Sequence, residues 1–179
     1  ADWGTLLGTI RHKGFVPWDD DMDITMKRED YTRFCQIVQQ EQGNLEIINF
    51  HTDPEWKDML SRVINGRNVN YTQEHLKKYH GFPYVAGLDI FPLDYVAPTE
   101  DEDKIQCSMI SIVEAFSANI RNNTATPEEI EQTMKDIEQM CGVKFNNLEP
   151  LATQLLKLGE RLSMMYTDEE SQAVALMGD

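Results

Sequence analysis

The chain has 179 residues and a mass of 20.7 kDa, enough for one globular domain or one domain with a helical annex. With 41% apolar and 26% charged residues it has an ordinary folded composition, which excludes wholesale disorder. Its 16 basic and 31 acidic residues leave a net charge of −15, which repels polyanions and argues against nucleic acid as a partner.

No apolar run approaches the roughly 20 residues of a membrane-crossing helix, so no transmembrane segment is expected. The opening at Ala1 has no charged stretch followed by an apolar one, so an intact signal peptide is not expected, whereas trimming at both ends is. Cys35, Cys107 and Cys141 are odd in number and widely spaced. They read as small buried hydrophobes in a reducing compartment rather than as a disulfide framework or zinc site.

In chain order, glycine-rich sequence begins at Gly4-Thr5-Leu6-Leu7-Gly8, and Arg11-His12-Lys13 reads as a basic loop between Gly8 and Gly14. Met22–Met26 reads as a strand. Tyr31, Phe34, Cys35 and Val38 recur at helical spacing, with Gly43 as the stop. Further strands are predicted at 45–50, within 61–71 and at 87–91.

From about residue 99 the pattern is almost wholly helical. The acidic run Glu100–Asp103 suits a helix N-terminus. Ile105, Met109, Ile112, Phe116 and Ile120 form one stripe. Thr126, Pro127 and Glu129 read as cap, first helical residue and capping box of a second helix carrying Ile130, Met134, Ile137 and Met140, which stops at Gly142. A third helix from Pro150 buries Leu151, Leu155, Leu158, Leu162 and Met165. The expectation is an α+β fold with a core over 1–98 and a helical region over 99–179 packed on it within the same domain.

The chemistry concentrates in Pro17-Trp18-Asp19-Asp20-Asp21-Met22-Asp23-Ile24. Strand alternation puts Asp21 and Asp23 on one face, with Met22 and Ile24 toward the core. Two such carboxylates repel unless a cation lies between them, and hard oxygen ligands select Mg²⁺, Mn²⁺ or Ca²⁺. Asp19 and Asp20 read as a solvated acidic turn. An EF-hand beginning at Asp19 fails, because Ile24 stands where the loop needs glycine and Lys27 stands at a ligand position.

Asp89 in Gly87-Leu88-Asp89-Ile90-Phe91-Pro92-Leu93-Asp94 sits alone among apolar residues, which is costly without a partner. If its strand lies beside that of Asp21 and Asp23, the three acids make a platform for phosphoryl-type transfer. Arg11, His12 and Lys13 are candidates for phosphate contact, and Arg62 and Arg67 weaker ones from a second loop. Dinucleotide, Walker A and GxSxG signatures are absent.

These motifs together resemble the LicD family of the nucleotidyltransferase-fold superfamily. The resemblance rests on Gly4–Gly8, Arg11–Phe15, Pro17–Ile24, Arg28–Tyr31 and Asp89–Asp94. It implies a nucleotidyltransferase-like mixed sheet with flanking helices, and a small turn at Gly4 and Thr5 before the paired-aspartate strand. It implies transfer of a phosphoalcohol from a CDP-alcohol donor, such as CDP-choline, to a hydroxyl of a cell-surface glycan such as a lipopolysaccharide or teichoic acid. Fukutin-related members move ribitol phosphate. The cofactor would be Mg²⁺ or Mn²⁺, held by Asp21, Asp23 and Asp89, with Gly4, Thr5, Arg11, His12, Lys13 and Arg62 at the substrate. A cytoplasmic location, free or peripheral to the inner face of the membrane, goes with that activity. Trp3 and Trp18 read as core residues, with a choline-like cation as the other use of their rings. The rival functions are transfer of the nucleotide itself and a non-catalytic metal- or nucleotide-binding module.

Overall fold

The computed structural model describes residues 1–19, 21–41 and 43–176, so Asp20 lies outside the described residues. The fold is α+β, with a mixed sheet and six helices among the described residues. It divides into two compact units. The first comprises 1–49 and 60–92, the second 50–59 and 93–179.

The first unit opens with helix α1 (Trp3–Arg11), where a turn was expected. Its glycines serve close approach rather than turning. A Cβ on Gly8 would lie 2.5 Å from the Gly14 carbonyl oxygen and 2.9 Å from the Val16 nitrogen. The helix therefore packs through Gly4, Thr5 and Gly8, and leaves Trp3, Leu6, Leu7 and Ile10 exposed. Glycine is a poor helix former, and this reversed polarity is why the segment does not read as a helix.

Strand β1 (Asp21–Lys27) follows, then helix α2 (Arg28–Gln40). Helix α2 carries Glu29 and Asp30 in its first turn and buries Tyr31 and Cys35. Strands β2 (Glu46–Ile48) and β3 (Ser61–Ile64) pair antiparallel. A short helix α3 (Gln73–Lys78), not anticipated from sequence, is capped by Thr72. Strand β4 (Gly87–Tyr95) runs antiparallel to β3, and the sheet order is β1-β4-β3-β2.

The core of this unit is Tyr31, Cys35, Ile47, Val63 and Ile90, with Ile24 packed against it. Met22 does not join it; it is 38% exposed. Trp3 and Trp18 are exposed as well, Trp18 at 78%, so neither is a core residue. Within the core the Ser61 hydroxyl sits 2.6 Å from the Tyr31 hydroxyl and accepts from Asn49 Nδ2 at 2.9 Å, so these buried polar groups satisfy one another.

The second unit is built on helices α4 (Glu100–Arg121), α5 (Pro127–Cys141) and α6 (Leu151–Ser163). Thr99 caps α4, whose first turn is all acidic. The Thr126–Glu129 capping box is present, and Gly142 ends α5 at φ 64°, a backbone position that glycine reaches without Cβ strain. Ile110, Val113, Phe116, Met134, Ile137, Leu155, Leu158 and Leu162 form the core. Gly159 allows α6 to approach Val113, whose Cγ2 would lie 3.3 Å from an added Cβ. The last residues of β4 pair with β5 (Val174–Ala175), a strand too short to read from sequence.

The stripe predicted on α4 is rotated by about one residue. Ile105 and Ile112 are exposed, whereas Gln106, Ile110, Val113 and Ser117 are buried. The cause is polar: Gln106 Nε2 donates to the Leu162 carbonyl at 2.8 Å, and the Ser117 hydroxyl to the Ala152 carbonyl at 2.9 Å. Met140 and Met165 also turn outward. None of the three cysteines is in a disulfide; Cys35 is buried and the others are half-buried. Among the described residues, no helix is long and apolar enough to cross a membrane.

Candidate functional site

Sheet order builds the site. Strand β4 lies between β1 and β3, so Asp89 has Asp21 and Asp23 on one side and Arg62 on the other. The β3–β4 register pairs Arg62 directly with Asp89, within reach of a cross-strand contact. On β1 the alternation expected from sequence puts Asp21 and Asp23 at the same face. One carboxylate oxygen from each of Asp21, Asp23 and Asp89 lies within 4.8 Å of the others. Asp23 and Asp89 are buried, and Asp21 is half-buried.

Helix α1 locks this face from its N-terminal end. The Asp23 backbone N–H donates to the Thr5 hydroxyl at 2.8 Å, and the Asp2 backbone N–H to the Asp23 carbonyl at 3.0 Å. Gly4 leaves room for Asp19, whose Oδ2 would lie 2.2 Å from a Cβ placed there.

The electrostatics are unbalanced. Burial pushes the Asp23 carboxyl above its usual range, and Asp21, Asp89 and Asp19 push it further, against a smaller opposing effect of the Thr5 backbone. The guanidinium of Arg62 grips Asp89 through both carboxylate oxygens and reaches Asp21 Oδ2 at 3.3 Å. Three clustered carboxylates opposite one arginine are the donor set that a hard divalent cation prefers, so the residues fit such an ion.

Asp19 is a site residue that sequence reasoning missed. It was read as solvated, yet its Oδ2 is buried with no hydrogen-bond partner among the described residues. The available signal was parity, since Asp19, Asp21 and Asp23 stand at alternate positions. Asp19 and Asp21 also line a cavity of about 420 Å³, whose other walls include Phe15, Met22 and Phe82.

The basic candidates divide. Arg62 joins the aspartates. Arg67 instead pairs with exposed Glu46. Arg11, His12 and Lys13 stand exposed at the end of α1, and Arg11 Nε donates to His12 Nδ1 at 3.4 Å. Among the described residues, no hydrogen bond or ion pair joins those three to the aspartates.

Residues 1–105 match the LicD/FKTN/FKRP nucleotidyltransferase domain, well over half of the chain and all of the site. The chain belongs to the LicD family. A 38-residue stretch, 21% of the chain, is 60% identical to the lipopolysaccharide cholinephosphotransferase LicD of Haemophilus influenzae and spans 14% of that protein. An uncharacterized protein of Rickettsia typhi is 54% identical over 37 residues, 12% of its own length. A Rickettsia prowazekii protein, also uncharacterized, is 51% identical over 37 residues, 14% of its length. The similarity to these relatives is thus high but confined to a short segment. No solved structure matches the chain.

Proposed function

We propose that this LicD-family domain transfers a phosphoalcohol from a CDP-alcohol to a hydroxyl of a cell-surface glycan, with Mg²⁺ or Mn²⁺ as cofactor. The observation that carries the reading is the meeting of Asp21, Asp23 and Asp89 within 4.8 Å at a buried sheet face. The named activity of the Haemophilus influenzae relative supports phosphocholine as the transferred group. Such work belongs in the cytoplasm or at the inner face of the membrane.

The acceptor oxygen attacks the phosphorus that bears the alcohol, the bond from that phosphorus to the CMP oxygen breaks, and CMP leaves. When bound, the divalent cation supplies positive charge to the diphosphate as negative charge builds on the leaving group. Asp21 and Asp23 would hold it, and Asp89 would complete the set. With a single ion, Asp89 would also take the proton of the acceptor hydroxyl. Thr5 holds the Asp23 backbone, and Gly4 makes room for the Asp19 carboxylate beside the site. Arg62 supplies a fork that matches phosphate oxygens. Arg11, His12 and Lys13 would meet the donor from the end of α1.

The cavity lined by Phe15, Phe82, Asp19 and Asp21 suits the alcohol. For choline, aromatic faces and carboxylates both attract a quaternary ammonium. This shifts the expected aromatic contact from Trp3 and Trp18 to Phe15 and Phe82.

The test is the fate of labelled donor. CDP-choline labelled in its methyl groups should release unlabelled CMP and transfer the label to a lipopolysaccharide saccharide. Asp23→Asn should lower this rate by at least about 100-fold, as for loss of one electrostatic stabiliser. Near wild-type turnover by Asp23→Asn would sink the assignment. Label left behind while the nucleotide joins the acceptor would mark a nucleotidyltransferase.

A further inference from the structure

We infer that Arg62 is a stand-in cation for the aspartate site: it holds the carboxylates before a divalent ion binds, then turns to the diphosphate of the donor. The inference rests on the cation-site reading of Asp21, Asp23 and Asp89 and adds a second position for Arg62.

Arg62 uses the atoms that an ion would need. Its Nε and Nη2 engage the two oxygens of Asp89, and Nη2 also reaches Asp21 Oδ2 at 3.3 Å. A divalent ion on the oxygens of Asp21, Asp23 and Asp89 would share that small volume with the guanidinium, and two cations that close repel. One of the two must give way.

Mobility decides which side moves. The Asp89 side chain is only 7% exposed, on a strand paired on both sides. Asp23 is buried, with its backbone held by Thr5. The Arg62 side chain is long, flexible and 37% exposed, so it has a path outward. Its backbone stays fixed opposite Asp89, so the released guanidinium remains tethered at the rim of the site.

The released fork suits phosphate better than any other group there, because guanidinium and phosphate pair through two parallel hydrogen bonds. The switch also addresses a charge problem. Without an ion, Arg62 keeps the buried carboxylates from facing each other uncompensated. With the ion in place, the same guanidinium draws a dianionic diphosphate into a protein of net charge −15. Ion and donor would therefore bind with positive coupling, each tightening the other.

The experiment is calorimetric titration of Mn²⁺ into the full chain, wild type and Arg62→Met, with and without CDP. Without CDP, Arg62→Met should bind Mn²⁺ about tenfold tighter than wild type, within the usual range of site-to-site coupling. CDP should tighten Mn²⁺ binding by about tenfold in wild type and by less than about threefold in Arg62→Met. Arg62→Lys keeps the charge but loses the fork, so it should fall between the two. It carries the test if circular dichroism shows Arg62→Met unfolded.

Wild type binding Mn²⁺ as tightly as both folded variants, or more tightly, would overturn the inference and leave the cation site standing. Equal CDP effects in wild type and variant, or none in either, would overturn the second position of Arg62. No Mn²⁺ binding by any folded form would overturn the inference together with the cation site beneath it.

Discussion

In the helical unit, buried polar groups mostly meet neutral partners. Gln106 donates to the Leu162 carbonyl, Ser117 to the Ala152 carbonyl and Ser163 to the Gly159 carbonyl. Apart from buried Asp94, its described carboxylates reach the surface, several of them held by caps and lysines. Glu129 closes a capping box and Glu138 accepts from Lys144 and the Phe145 backbone. In the strand unit the buried charges crowd instead: Asp23 and Asp89 sit beneath Asp21, opposite one arginine. The first arrangement lowers the energy of the fold by itself. The second leaves a repulsion in the fold that a bound cation would relieve, which is how a site trades local stability for affinity.

The largest test of this contrast is activity. Asp23→Asn should reduce transfer by at least about 100-fold, or about 2.7 kcal/mol of transition-state stabilisation. Leu155→Ala, in the helical core, should cost about 2–5 kcal/mol of stability on thermal unfolding while leaving the Mn²⁺ affinity of the folded protein unchanged. A change in that affinity would break the separation of roles.

Gly8→Ala should cost about 1–3 kcal/mol, because its Cβ meets backbone that cannot swing away. As α1 holds Asp23 through Thr5, this variant should also weaken Mn²⁺ binding, measured by calorimetry. Thr126→Ala should cost about 1 kcal/mol by removing the α5 cap, with no effect on Mn²⁺.

The smallest effect is in pH. Asp23 has a raised carboxyl in the folded state, so the folded protein binds more protons than the unfolded one between the usual value of 3.8 and the raised value. Its contribution to stability is therefore lost as pH rises through that window. Glu129 and Glu138 are lowered by their hydrogen bonds, so their contribution is lost as pH falls below the usual value of 4.5. Denaturant titrations across pH should show Asp23→Asn removing the loss on the alkaline side. Glu129→Gln should reduce only the loss on the acid side.

Much of the site was legible because an aspartate alternating with apolar residues has few solvated explanations. Asp21, Asp23 and Asp89 could each be read that way from local sequence alone. Arg62 was less visible, since its pairing with Asp89 depends on the β3–β4 register, a long-range property. Asp19 was hidden by its neighbours, as a run of acids looks solvated until one oxygen is found buried against Gly4. In the helical unit, caps and stops at Thr126 and Gly142 are local and were read correctly. The buried face of α4 was not, because Gln106 is polar by type and buried only through a partner 56 residues away. Helix α1 failed for the same reason in reverse, since its exposed side is the apolar one.

The most direct test of the central claim is thermal unfolding of the full chain at neutral pH with and without Mn²⁺, comparing wild type with Asp23→Asn. At about 100 times its Kd, Mn²⁺ should add roughly 2.7 kcal/mol to wild-type stability. Without metal, Asp23→Asn should melt higher than wild type, because a buried repulsion is gone, and Mn²⁺ should add little to it. A wild type that Mn²⁺ leaves unchanged, or an Asp23→Asn variant that gains as much from it as wild type, would contradict a cation site at these aspartates.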